Sequence, residues 1–301
     1  MVAIAALIAC GPKAPLPSPI PDGPAPVGGP WSAPVAVDHP LVGRIWDPAA
    51  QGFVTEDALV AALAQAAHPL LGERHDNPDH HRLQARLITA LHPPAVGFEM
   101  LDHADPVDGP TDADALAAAV GWADSGWPAF DLYRPVFDAV YGAGARVIAA
   151  HPTRDEVKAA MAGGFAALPA EALVGLALEP GLSEAQQASL ADEIEEVHCG
   201  AAPPSLVAQM VTAQVLKDAW MARAIGEAGP GTVLVAGAGH TRTDRGVPIY
   251  VAGAVTVQFV EVRDGLVDPR DYDAVATWLW FTPRTGDGDP CHGLRQGRAT
   301  R

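Results

Sequence analysis

Two stretches of the chain end alike. Leu70-Leu71-Gly72-Glu73-Arg74-His75 passes from an apolar run into a glycine, a carboxylate and an imidazole, and Thr232-Val233-Leu234-Val235-Ala236 passes into Gly237-Ala238-Gly239-His240-Thr241-Arg242. Imidazoles exchange protons near neutral pH or bind metals, and carboxylates serve as general bases or as ligands. Glu99 follows a third apolar run, Ala95 to Phe98, and His151 follows a fourth, Ala145 to Ala150. If these runs are neighbouring parallel strands, Glu73, His75, Glu99, His151 and His240 meet at one sheet edge, with Arg74, Arg242 and Arg245 nearby. Glu73, His75, Glu99 and His240 are then the candidate catalytic residues of an enzyme. His75, His240 and Glu99 form a donor set suited to a divalent transition metal such as zinc, manganese or iron. The competing reading is structural: Glu73 and Glu99 pair with Arg74 and Arg242. As loop residues at a sheet edge, His75 and His240 are expected to tolerate substitution without loss of the fold.

The elements that would carry these residues alternate strand and helix. Thr55 caps a helix from Val54 to Ala67. Asn77 with Pro78 opens another, striped by Leu83, Leu87 and Leu91 and stopped by Pro93-Pro94. Thr111 is the expected cap of an alanine-rich helix. The aromatic stretch Gly126 to Pro135 leads into a helix ending at Gly142, and capping boxes stand at Thr153/Glu156 and Ser183/Gln186. Between Gly163 and Pro204 no strand signal appears, and a long helix from Ser205 to about Ile225 follows. Pro248 to Val251 and Val255 to Val262 are the last expected strands, with a turn at Asp264-Gly265. This order predicts an α/β fold, a mostly parallel sheet flanked by helices, with a small helical insertion domain at about 163–228 of a 41–285 body. Polar helix faces usually meet water, so His80, His81, His92 and His103 are expected to be solvated. Met210 and Met221 are expected to fill the core.

Composition narrows the functions. With 301 residues, 49% of them hydrophobic, the chain can bury a large core. Nineteen Lys+Arg stand against 36 Asp+Glu, a formal charge of -17 with no basic run, which argues against nucleic acid as a partner. Residues 1–9 form a short apolar segment before Cys10 that is similar to a bacterial lipoprotein signal, although it carries no Lys or Arg. Cys10 is then the lipidation site of a membrane-anchored protein, residues 10–40 a Pro-rich linker, and residues 286–301 a tail. Gly11 after the cysteine points to the outer membrane. An exported protein would permit a disulfide between Cys199 and Cys291. No C-x-x-C-H occurs, so covalent haem attachment is excluded by pattern.

GERHDNPDHHRLQ, VGFEM, GWPAFDLYRP, QMVTAQVLKDAWMA and AGAGHTRTDRGVPIY occur in this order between residues 72 and 250. Together they resemble the ChaN family of haem-binding lipoproteins, related to the TIKI proteases and erythromycin esterases. The resemblance, which covers most of residues 65 to 290, implies an α/β body with a small helical domain, and haem binding in bacterial haem or iron uptake. It also implies two haems enclosed by a homodimer, with a tyrosine on the iron. Tyr133, beside Arg134 in the aromatic stretch, is the candidate ligand, and Arg134 and Arg242 are the candidates to offset the propionates. Where the family often has Asn after the third strand, this chain has His151. The alternative class is a TIKI-like protease or esterase, a metal-dependent hydrolase built on the paired G-x-x-H ends.

Overall fold

In chain order the elements are β1 (Ile45–Asp47), β2 (Gly52–Val54), α1 (Glu56–Leu63), β3 (His68–Glu73), α2 (Pro78–Leu91), β4 (Ala95–Asp102), α3 (Ala113–Ala119), α4 (Phe130–Gly142), β5 (Arg146–His151), α5 (Arg154–Gly163), α6 (Ala170–Leu173), α7 (Glu184–Val197), α8 (Pro204–Ala228), β6 (Val233–Gly237), β7 (Ala254–Glu261) and β8 (Trp278–Thr282). The computed structural model describes residues 22–178, 181–287 and 291, so Cys10, the expected signal segment and most of the tail lie outside the described residues.

The strands form one sheet in the order β2-β1-β8-β7-β3-β6-β4-β5. The run from β8 to β5 is parallel throughout, and β1 and β2 close the far edge in antiparallel pairing. Side chains alternate across each strand with period two. Leu71, Val96, Phe98, Val235 and Val257 therefore join the core beneath α2 and α4, while Leu70, Leu234, Ala236 and Ala150 meet Met221, Ala222 and Ile225 of α8 on the other face. Both faces are covered, as a parallel sheet requires. β3 sits where the chain reverses direction across the sheet, with β6 on one side and β7 on the other, and open α/β sheets bind ligands beyond the carboxyl ends of strands at such a point.

Several caps are as the sequence implied. Thr55, Asn77, Thr153 and Ser183 each accept a backbone N–H with the side chain, and Thr153/Glu156 and Ser183/Gln186 are full capping boxes. Asp112 rather than Thr111 caps α3, accepting from Ala115 N. Residues 247–249, overlapping the strand expected at Pro248 to Val251, form a 3-10 turn, with Val247 N turning back to donate to His240 O. β1, β2 and β8 were not foreseen. Nor is the 10–40 stretch all spacer. Within it, Ser32 N and Ala33 N donate to the buried Asp79 carboxylate, Ala33 is buried, and Val35 bridges Arg284. Residues 164–203 contain no strand among the described residues. The second half of α8, though inside the expected insertion, packs on the sheet. Cys199, just past α7, is disulfide-bonded to Cys291. Among the described residues no helix is long and apolar enough to cross a membrane.

Candidate functional site

The site begins at the ends of β3, β4 and β6. The two G-x-x-H glycines do not need left-handed backbone; they permit close approach. A Cβ on Gly237 would lie 2.9 Å from His75 Nε2 and 3.5 Å from Glu99 Oε2, and one on Gly72 would overlap the Thr241 hydroxyl. With both strands bare at these points, the turns after them interlock: Ala238 N donates to Glu73 O at 2.8 Å, and Gly237 N donates to Glu99 Oε2 at 2.8 Å.

Around that junction runs one chain of charged groups. Asp218, on α8, lies 2.6 Å from His240 Nδ1, and His240 Nε2 lies 3.2 Å from Glu99 Oε1. The second Glu99 oxygen is 3.9 Å from His75 Nε2, and His75 Nδ1 is 2.9 Å from Glu73 Oε1. That Glu73 oxygen also accepts from the Tyr133 hydroxyl at 2.6 Å. The other lies 3.2 Å from His81 Nε2, an ion-pair distance without hydrogen-bond alignment. The structure thus brings Glu73, His75, Glu99 and His240 together. Arg74 and Arg242 do not pair with the carboxylates, since Arg74 holds Asp76 and Glu261 and Arg242 holds Asp244.

The protonation states follow from this crowding. Burial works against a charge on His240, but Glu99 and Asp218 on either side push its pKa up to about 10, so it is an imidazolium. Burial would raise Glu99 and Glu73, yet their histidine partners hold both well below the usual carboxylate range. Asp218 is raised to about 6, chiefly by burial. His75 is raised despite burial, by Glu73 and Glu99. Both His240 nitrogens face carboxylates, whereas His75 gives Nδ1 to Glu73 and keeps Nε2 3.9 Å from Glu99. Among the described residues no group of three or more His, Cys, Asp or Glu is arranged to hold a metal ion.

Burial corrects other expectations. His240 is 5% exposed, so it is no loop residue that can be removed freely. His75 keeps 34% of its side chain exposed and sits edge-on to Trp127. Tyr133 is fully buried between His81 and Trp122, and burial together with Glu73 pushes its phenol far above the ordinary range. In this arrangement the Tyr133 hydroxyl donates to Glu73 and steadies that carboxylate. Arg134 is held on the surface by Asp114 and Asp131. His80 and His81 are buried, not solvated: His80 Nδ1 accepts Arg74 N, and its Nε2 meets Thr282. His92 and His103 are exposed.

Beside this network opens a cleft of about 710 Å³. Glu99 and His151 form its floor at the strand ends, and Met100, Val120, Trp122 and Trp127 supply apolar wall. Arg154, Lys158 and Lys217 bring cations to it. Lys217 makes no ion pair among the described residues, whereas Lys158 faces Asp155. His151 is held mostly neutral, its pKa lowered to about 4 by burial and by Lys217. A second cleft of about 950 Å³ lies toward β7 and α7, where Arg242, Arg74 and Arg284 are each already paired with acids. Sequence reasoning missed Asp218, Lys217 and Arg154. A lone acid among α8 residues of the buried face was the one signal for Asp218.

Residues 59–251 match the family model described as "Haem-binding uptake, Tiki superfamily, ChaN". Among solved structures, ChaN of Campylobacter jejuni, reported with cofacial heme binding, is 22% identical with a TM-score of 0.64, over 78% of this chain and 95% of that one. The type III effector HopBA1 is 16% identical, with a TM-score of 0.44, over 76% and 93%. No curated protein matches the chain.

Proposed function

We propose, from the premise that this chain belongs to the haem-binding uptake family of the Tiki superfamily that includes ChaN, that it binds haem in the cleft beside Glu99 and His151 and serves bacterial haem or iron uptake. The observation that carries the reading is the chemistry of that cleft. A porphyrin is a flat apolar plate with two carboxylates on one side, and it needs broad apolar contact, cations at one margin and a ligand for iron. The half-buried Trp127 and Val120 offer apolar surface, Lys217 and Arg154 offer the cations, and His151 Nε2 is a buried nitrogen without a hydrogen-bond partner. These residues fit the group. When bound, haem would supply iron coordination and redox chemistry, while the chain's part is to shelter and orient it. The arginine-lined second cleft fits less well, because four of its five arginines, Arg74, Arg242, Arg245 and Arg284, are already paired with acids.

The reading extends to the cell. Cys10 would carry the lipid anchor on a bacterial outer membrane, periplasm-facing or at the surface, and two copies would face one another to enclose two haems. Titration of the purified protein with haem, followed by Soret absorbance, tests the core of this. A saturable shift with defined stoichiometry is expected, and its absence would refute the reading. Mass spectrometry of the membrane fraction tests the anchor, and sedimentation with and without haem tests the dimer.

A second reading, hydrolysis, rests on one observation. His75, the partly exposed member of an otherwise buried acid–imidazole chain, stands between two ionised carboxylates. Turnover in a panel of esters and peptides that is lost in His75→Ala would support it.

A further inference from the structure

The family reading supplies a haem but, with Tyr133 sealed behind His81 and Trp122, no obvious protein atom to hold its iron. Such an atom must line the cleft, carry a free lone pair and be fixed in direction. Glu99 lines the cleft, but its oxygens are taken by His240 and Gly237 N. Asp102 and Asp105 are tied into their own loop, Asp105 accepting Asp102 N and Asp102 accepting Ala104 N. His151 remains. It ends β5, paired in register with Asp102 of β4, so the sheet itself sets its position. Its Nδ1 lies 2.5 Å from Pro152 O. A carbonyl can only accept, so Nδ1 carries the proton and Nε2 carries the lone pair. Nε2 is buried and has no hydrogen-bond partner. An unmet buried acceptor is costly, and a ring whose other nitrogen donates to a backbone carbonyl is oriented in the way metal-binding histidines usually are.

We propose that His151, through Nε2, is the axial protein ligand of the haem iron in this cleft, an assignment that rests on the haem-binding reading. The bond formed is a dative one from the imidazole lone pair to iron, with no proton lost, because the ligating nitrogen is already unprotonated. Lys217, half-buried and unpaired among the described residues, lies on the same cleft to meet a propionate. This makes the chain a histidine-ligating member of its family, with the phenol of Tyr133 retained as a brace for Glu73.

The test is spectroscopic, on the full chain titrated with haem. The parent protein should show the absorption and electron paramagnetic resonance signature of imidazole-bound haem. His151→Ala should lose that signature and bind haem on the order of tenfold or more weakly, and free imidazole should restore the spectrum. His151→Cys should give a thiolate-type spectrum, a gain of signal that a misfolded protein would not produce. His92→Ala, which alters an exposed helix cap, should leave the spectrum as in the parent. An unchanged spectrum in His151→Ala and His151→Cys with haem still bound would overturn the ligand assignment while leaving the haem reading standing. A parent protein that binds no haem would overturn the haem reading, and the assignment with it.

Discussion

Removing His240 should unfold the sheet edge rather than merely disarm it. The imidazolium lies between Asp218 and Glu99, at 2.6 and 3.2 Å, and all three side chains are buried. In His240→Ala two carboxylates stay out of water with no cation between them, and Gly237 N is the hydrogen-bond donor left to Glu99. Breaking a buried pair by deleting one partner costs about 3–5 kcal/mol, and the upper end applies because two acids lose one cation. For a domain of this size that corresponds to a fall in Tm of roughly 10 °C. The assay is urea unfolding of parent and variant near neutral pH and again in mild acid. Asp218 already sits at about 6 with its partner present, so without it both acids take up protons readily and the deficit should shrink as pH falls. His75→Ala, at a position one third exposed, should cost under about 1 kcal/mol. A His240→Ala loss below about 1 kcal/mol, or one independent of pH, would refute the reasoning.

Other predictions follow the same contacts. Tyr133→Phe removes a 2.6 Å donor to a buried carboxylate and should cost about 2 kcal/mol in urea unfolding while leaving haem uptake intact; loss of the haem spectrum in this variant would return the phenol to the site. Reducing Cys199–Cys291, which are 92 residues apart, should cost about 4–5 kcal/mol in the chain-entropy model, checked by unfolding with and without reductant; equal midpoints would contradict it. In a pH series, Glu73 and Glu99 are depressed from 4.5, so their contribution is present above that value and lost as pH falls. His240 is raised from 6.5 to about 10, so its contribution is present below 6.5 and lost as pH rises toward 10. Asp218, raised from 3.8 to about 6, acts in the opposite sense to the two glutamates and blunts the acid flank. The unfolding midpoint should therefore be highest between the two flanks, and a midpoint that climbs steadily to alkaline pH would be wrong for this network.

Much of the body was legible because buried parallel strands read as unbroken apolar runs and helices announce themselves by caps. Leu70-Leu71 and Val233 to Ala236 needed no partner to be recognised, and Asn77-Pro78 fixed the start of α2. What failed was what depends on neighbours. β1 and β2 are three residues each, too short for a period, and β8 is an aromatic run, Trp278 to Phe281, that pairing with β7 and β1 turns into strand. His80 and His81 looked solvated on a polar helix, but the N-terminal segment, the edge of β8 and Tyr133 cover that helix. The strand ends predicted which residues would meet; they could not show that His240 would be encased by Asp218, from a helix 22 residues earlier, or that Tyr133 would face inward.

The measurement that bears most directly on the account is the electron density of crystals grown with haem. The porphyrin is expected against Trp127, with the iron on the His151 side and a propionate toward Lys217. Haem seated in the arginine-lined cleft by β7 and α7, or iron bound to Tyr133 after a rearrangement of α4, would contradict it.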